Sequence, residues 1–261
     1  MKLLNIAALI LLFAIAGCAT SRTKNMTFRV LTYNIHHGEG IDKKIDLQRI
    51  ADLINREKAD IVGLQEVDRG VERTARRDLP AELAQLTGMT VYFDRNIIHQ
   101  GGDYGNAVLT RFPIKSAKNT HYKMLREGEQ RGVQQMVLNV RGRDVLFMNT
   151  HIDFRPDDSE RLSNAAELEQ IVAAAGKMPV IICGDFNTSP GSPTHQKIKG
   201  YLSDAWELVG EGNGFTIPVE DPRKRIDYIW ISEPSVEPVK MEVLHSIASD
   251  HLPVLGEFRF R

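Results

Sequence analysis

The sequence predicts one α/β domain built as a four-layer sandwich, with two mixed β-sheets packed face to face under outer helices. Three observations carry that expectation. Short apolar runs of strand length, Phe28–Leu31, Ile61–Leu64, Val145–Met148 and Val180–Cys183, alternate with segments of helical period. Val133–Val140 and Asp144–Asn149, flanking Arg141-Gly142-Arg143, read instead as an antiparallel hairpin, so the sheets are mixed. No Pro/Gly/Ser-rich linker divides the chain after Met26, which leaves a single unit over 28–261.

The elements follow in order. The first strand ends at Asn34, and a Gly-containing loop, Gly38–Lys44, leads to a helix capped by Asp46. Leu47, Ile50, Leu53 and Ile54 form that helix's inner face. The next strand runs to Glu66. An Arg-rich segment, Arg69–Arg77, precedes a helix with Pro80 near its start and Gly88 just past its end. Thr90–Phe93 and Asn106–Thr110 are strand-like. After the hairpin, Ser159–Ala175 is helical, with Leu162, Ala166, Ile171 and Ala175 along one side and Gly176 as its stop. Val180–Cys183 continues the sheet, Ser192-Pro193 opens a short helix, and Ile226–Ile231, Met241–Leu244 and Pro253–Phe258 supply the last strands.

Residues 1–18 are a separate matter. Lys2 gives a minimal charged start, and Leu3–Ala16 is almost wholly apolar but short for a transmembrane helix, which fits a secretory signal. Ile15-Ala16-Gly17-Cys18 ends like a bacterial lipobox, in which Cys18 is diacylated and becomes the mature N-terminus. An ordinary cleaved signal peptide with an incidental cysteine is the plainer alternative. Residues 19–27 then form a polar tether, and the expected location is extracytoplasmic, in the cell envelope, lipid-anchored to a membrane through Cys18. The second cysteine, Cys183, cannot form an internal disulfide and is expected as a small buried hydrophobe. Net charge is −1, so no global basic field favours nucleic acid, although a local patch can serve a secreted nuclease. A monomer is expected.

Polar islands close or adjoin the apolar runs: Tyr33-Asn34, Gln65-Glu66, Asn149-Thr150-His151, Gly184-Asp185-Phe186-Asn187, Arg225-Ile226-Asp227-Tyr228 and Ser249-Asp250-His251. Chemistry placed where strands end is how α/β scaffolds gather a site along one sheet edge. Four carboxylates (Glu66, Asp185, Asp227, Asp250), two amides (Asn34, Asn187) and two imidazoles (His151, His251) suit a hard divalent cation and a transferring phosphoryl group. Six islands in this order resemble the endonuclease/exonuclease/phosphatase superfamily of metal-dependent phosphoesterases, from about Phe28 to the C-terminus.

That resemblance implies the four-layer sandwich and assigns roles. Glu66 takes the position of the principal metal carboxylate, with Asn34 and Asp250 beside it and Mg²⁺ or Mn²⁺ as the ion. Asp185 polarises the attacking water, and Asn187 helps hold the phosphate. His251, oriented by Asp227 as in hydrolytic triads, stabilises phosphate charge. His151 matches the general acid of the DNase and sphingomyelinase-like branches; apurinic endonucleases carry no histidine there. Asn106 lies close to a phosphate-side island, and Tyr104 either bonds a phosphate oxygen or is structural. Arg131 and Arg73 are candidate phosphate clamps, since guanidinium binds two oxygens at once, with a solvated charged loop as the alternative for Arg73, Arg76 and Arg77. His36 and His37 could enlarge the metal site toward two ions, contact the substrate, or leave one ring in solvent. His99, His121, His195 and His245 lack motif context and are expected at the surface. The implied activity is hydrolysis of a phosphodiester or phosphomonoester, lipid- or sugar-phosphate-like. An envelope nuclease is the rival, and a non-catalytic binding lipoprotein is a further alternative.

Overall fold

The computed structural model describes residues 26–261. The expected signal peptide over 1–18, its Cys18, and most of the 19–27 tether lie outside the described residues. Within them, no helix is long and apolar enough to cross a membrane.

Two six-stranded sheets form the centre. The first runs β11 (Val236–Val243), β12 (Val254–Phe260), β1 (Phe28–Asn34), β2 (Ile61–Arg69), β4 (Gly102–Thr110), β3 (Thr90–His99). The second runs β5 (Ile114–His121), β6 (Gly132–Val140), β7 (Arg143–His151), β8 (Val180–Asp185), β10 (Asp227–Ile231), β9 (Ser203–Asp204). Only β1–β2 and β7–β8 pair in parallel. Each parallel pair needs a crossover, supplied by α1 (Leu47–Arg56) and by α3 (Ser159–Ala174). Helix α2 (Leu79–Thr87) joins α1 over the first sheet.

Strand alternation explains the layers. Val30 and Ile61 face inward to meet Phe147, Ile181 and Cys183 between the sheets, while their neighbours Leu31 and Val62 face outward against Ile50 and Ile54 of α1. On the far side Met148, Ile182 and Trp230 pack on Ala165 and Leu168 of α3 and on Ile198 of α4 (Pro193–Lys199). The caps are as read: Asp46 accepts from the Gln48 amide, and Ser192 from that of His195. Gly88 ends α2 at φ +64°.

Four expectations are corrected. Strand β2 does not stop at Glu66 but runs on to Arg69, with a bulge between Leu64 and Val67. Strand β5 was not foreseen, because as a sheet edge it exposes Lys115, Ser116, Ala117 and Lys118. In α3 the buried seam is Arg161, Asn164, Ala165 and Leu168, one position off the expected stripe, because the helix's first turns meet a polar loop. There Arg161 donates to the Asp158 carboxylate and the Asp153 carbonyl. Finally, His195 is buried against the Tyr228 and Trp230 rings, with Nε2 3.2 Å from Asp204 Oδ2, while His121 and His245 are exposed as expected.

Candidate active site

The ends of β1, β7 and β8 and the bulge in β2 converge at one edge of the sandwich. In register, Asp185 lies beside His151 on one side and Asp227 on the other. Gly184 precedes it at φ +152°, where a Cβ would come within 2.0 Å of the Thr150 carbonyl oxygen, so only glycine lets β8 approach β7 here. The Asn34 amide nitrogen donates to Glu66 Oε1 at 3.0 Å and to Asp185 Oδ2 at 3.1 Å, while its oxygen accepts from the His36 amide. Asn34 as placed therefore bridges two carboxylates and turns its nitrogen, not its oxygen, toward Glu66.

Asn187, itself at φ +46°, donates through its backbone to Asp185 Oδ1 at 2.9 Å and through its side chain to His151 Nε2 at 2.9 Å. His151 Nε2 is 3.4 Å from Asp185 Oδ2, and His251 Nε2 is 3.8 Å from the same atom. His251 Nδ1 meets Asp227 Oδ2 at 2.9 Å. The predicted catalytic set thus forms one network, buried except for the half-buried Asn187.

Its electrostatics differ residue by residue. Burial, then the Asp227 charge, push the Asp185 carboxyl up to about 7. Burial disfavours charge on His251 too, but Asp227, helped by Asp185 and Asp250, overrides it and holds the ring at about 10, so it is an imidazolium. His151 also has a carboxylate near it, Asp185 Oδ2 at 3.4 Å, but there burial prevails. Burial, then Arg131 and His251, keep it well below the ordinary histidine value, so it is neutral with Nε2 as an acceptor. That differs from the near-neutral acid implied for it.

Glu66 occupies the β2 bulge at φ +59°, which turns Gln65 between the sheets and Glu66 into the site. His36 and His37 form a 3₁₀ turn after β1, with one nitrogen of each ring and a Glu66 oxygen all within 4.8 Å of one another. His37 is only 7 % exposed. Burial, then Arg73 and His36, push it down to about 4, so it is neutral. Two other groups have similar spacing. In Asp185–Asp227–His251 a charged imidazolium already occupies the centre. In His195–Asp204–Glu207 the Arg225 guanidinium binds Asp204 at 2.7 Å and fills the place of a cation. The residues that fit a divalent cation are those at Glu66. Asp250, expected among them, is half-buried, accepts from the Ser249 hydroxyl and joins none of the three groups.

The expected phosphate contacts divide. Arg73 is bound in two-pronged fashion by the buried Asp68 at 2.8 and 2.9 Å, so its fork is already occupied. The Tyr104 ring lies 5.3 Å from that guanidinium, and burial, then Glu66, raise its hydroxyl well above the ordinary value. Tyr104 is therefore a neutral donor at the site's edge. Arg131 is buried near His151, with Nε lacking a partner. Asn106 is buried, its amide nitrogen also unpartnered. Sequence reasoning missed Asp68, which neutralises Arg73, and Glu39, which touches both His36 and His37. Only the compact His-His-Gly-Glu spacing hinted at the latter.

Residues 31–251 match the model of the Endonuclease/Exonuclease/phosphatase family. The uncharacterized protein YbhP of Escherichia coli K12 is 29 % identical over 251 residues, covering 90 % of this chain and 98 % of that protein. Among solved structures, a mannosyl-6-phosphatase from Bacteroides thetaiotaomicron superposes with TM-score 0.76 at 20 % identity, covering 89 % of this chain and all (100 %) of that one. The human nocturnin catalytic domain with bound sulfate gives TM-score 0.71 at 22 % identity, over 90 % and 95 %. At those identities the likeness is one of fold, and the match of the family model supplies the rest. The chain belongs to the Endonuclease/Exonuclease/phosphatase family and is a hydrolase of phosphate ester bonds.

Proposed function

We propose that the protein is a monomeric, lipid-anchored envelope phosphoesterase that uses Mg²⁺ or Mn²⁺ to hydrolyse a phosphomonoester or phosphodiester of lipid- or sugar-phosphate type. One observation carries the reading: the buried Asp185 carboxylate, poised at about 7, is reached by Asn34, Asn187, His151 and His251 at once. A general base works best with its pKa near the operating pH. Asp185 takes a proton from a water, whose oxygen bonds to phosphorus as the ester P–O bond opposite breaks. The His251 imidazolium, fixed by Asp227, stabilises charge gathering on the phosphoryl oxygens. A cation at Glu66 supplies Lewis-acid charge against those oxygens when bound. His151 on its own is neutral; a bound phosphate dianion offsets burial and the Arg131 charge, and the ring then carries the proton passed to the departing oxygen.

One feature favours a small polyol leaving group. Beside Asn187 lies an open groove of about 570 Å³ edged by Thr188, Ser189, Ser192, Lys224 and the exposed Phe154 ring. Hydroxyls, two cations (Lys224 and Arg161) and an aromatic ring along one groove suit a sugar, and the mannosyl-6-phosphatase of the same fold acts on one. Against a nuclease, most arginines around the site are paired: Arg69 and Arg95 share Asp103, Arg73 holds Asp68 and Arg77 holds Glu82. Little free positive charge remains for a phosphate backbone.

The test is turnover by purified protein with Mg²⁺ or Mn²⁺ on bis-p-nitrophenyl phosphate, mannose 6-phosphate, phospholipid and plasmid DNA. Hydrolysis of small esters, abolished in Asp185→Asn, is expected. Plasmid cleavage as the fastest reaction would replace this reading with the nuclease, and no turnover on any substrate would overturn both.

A further inference from the structure

We propose that His36, His37 and Glu66 form a cation centre of two imidazoles and one carboxylate that selects first-row transition ions, Mn²⁺, Co²⁺ or Zn²⁺, over Mg²⁺. The inference rests on the phosphoesterase reading of this site and names its ion class. One nitrogen of each ring and a Glu66 oxygen are mutually within 4.8 Å. Bonds of about 2.0–2.2 Å hold ligands of one ion no more than about 4.4 Å apart, so small side-chain movements close the set.

Both rings are already arranged as ligands, and one residue arranges them. His36 Nδ1 lies 3.3 Å from the Glu39 carbonyl oxygen, which can only accept, so the proton is on Nδ1 and the Nε2 lone pair is free. His37 Nε2 faces the Glu39 carboxylate at 3.8 Å, which favours the proton there and leaves Nδ1 bare. That Nδ1 is buried and has no hydrogen-bond partner. Buried polar atoms are normally satisfied, so an unpartnered buried nitrogen on a ring that groups with a carboxylate and a second imidazole is fitted to accept a cation. A carboxylate behind a ligating imidazole is the usual outer support of a metal centre.

The backbone points the same way. His36 and His37 lie at φ +44° and +46°, Gly38 at +82°, and Glu66 at +59°. Histidine and glutamate rarely adopt the left-handed region, and such strain collects where a site demands it. The charges facing the centre permit a cation. Arg73 is the nearest guanidinium, but its charge is met by the buried Asp68, and Glu39 adds a further negative charge. Mg²⁺ prefers oxygen ligands and gives up water reluctantly, whereas the first-row ions accept imidazole with an affinity that is weakest for Mn²⁺ and rises through Co²⁺. The Asn34 oxygen, which Mg²⁺ would use, is instead held by the His36 amide.

The test reads the metal directly. Detergent-solubilised full chain is stripped with EDTA, equilibrated with equal Mg²⁺ and Mn²⁺, and its retained metal measured; the Mn²⁺ form is then examined by pulsed EPR for imidazole ¹⁴N coupling. Retention of Mn²⁺ over Mg²⁺ with ¹⁴N coupling is expected. His36→Ala and His37→Ala should each weaken Mn²⁺ binding roughly 10–100-fold while Mg²⁺ binding changes by less than about threefold. Absence of ¹⁴N coupling in the unaltered protein overturns the proposal without recourse to any variant, as does equal loss of both ions. Hydrolysis supported equally by Mg²⁺, without ¹⁴N coupling, removes this inference and leaves the phosphoesterase standing; ¹⁴N coupling without hydrolysis of any ester does the reverse.

Discussion

Asp227→Asn isolates the charge that keeps His251 protonated. The substitution preserves volume and an acceptor for Nδ1, and removes only the negative charge 2.9 Å away. Burial alone would lower His251 from 6.5; Asp227, ahead of Asp185 and Asp250, is what raises it to about 10. That rise corresponds to about 5 kcal/mol in favour of the imidazolium. Without Asp227 the ring is neutral through most of the working range, and kcat should fall roughly 10³–10⁴-fold, as when a triad carboxylate loses its charge. The profile of kcat/KM against pH should move as well. In the unaltered protein Asp185 sets an acid limb near 7 and His251 an alkaline limb near 10. In the variant the alkaline limb shifts acidward, while Asp185 loses both the Asp227 charge that raises it and the His251 charge that lowers it, so the acid limb moves less. Stability in EDTA gives a second reading. His251 is raised in the folded state, so its contribution is full below about pH 6.5 and is lost as pH rises through about 10. Urea unfolding should therefore weaken across that window in the unaltered protein and much less in the variant, which starts about 3–5 kcal/mol lower near neutrality because a buried pair is broken. A loss under about tenfold with an alkaline limb still near 10 would refute the argument.

Other expectations follow from the same geometry. Glu66→Gln should reduce activity by orders of magnitude and weaken metal binding with its melting midpoint nearly unchanged; full activity in excess EDTA would remove the metal from the mechanism. Replacing Cys18 by serine should release a soluble or unprocessed form on membrane fractionation, because two acyl chains anchor where one barely does. His151→Ala should slow an alkyl ester roughly 10²–10⁴-fold and a nitrophenyl ester far less; equal losses would leave His151 as a phosphate contact rather than an acid. Gly184→Ala, whose new methyl would meet the Thr150 carbonyl at 2.0 Å, should cost about 3 kcal/mol or more in urea unfolding, and a loss below about 1 kcal/mol would mean β7 and β8 can part.

Much of the fold was legible because most strands are apolar on at least one face and the helices carry ordinary caps. Strand β5 was not, since an exposed edge has no reason to be apolar. The buried grouping of the candidate site was legible because Asp185, His151, Asp227 and His251 adjoin strand ends that topology brings together. The setting of each group was not. No local pattern announces a bulge at Glu66, because its register depends on β4, more than thirty residues on. His195 read as a surface residue because its partner Asp204 and the rings covering it come from elements distant in sequence. Arg73 read as a free clamp because Asp68 faces the same way only once β2 continues past the bulge.

Asn149 belongs to one of the polar islands, yet its side-chain amide is spent on bonds between the sheets. Buried between the sheets, it accepts from Gln65 at 2.7 Å and donates to the carbonyls of Leu64 and Ala107 and to Gln134 Oε1, while Gln134 in turn donates to the Asn106 carbonyl. It acts as a locating pin between two plates. An apolar seam lets sheets slide by fractions of an ångström at little cost, whereas directional amide bonds fix one offset. The groups gathered at the candidate site come from both plates, Glu66 and Asn34 from one, Asp185 and His151 from the other. The pin sets their alignment from behind, so the loops around the rim are free to diverge in length and composition and to retune what is bound, while the distance between the two halves of the site stays the same.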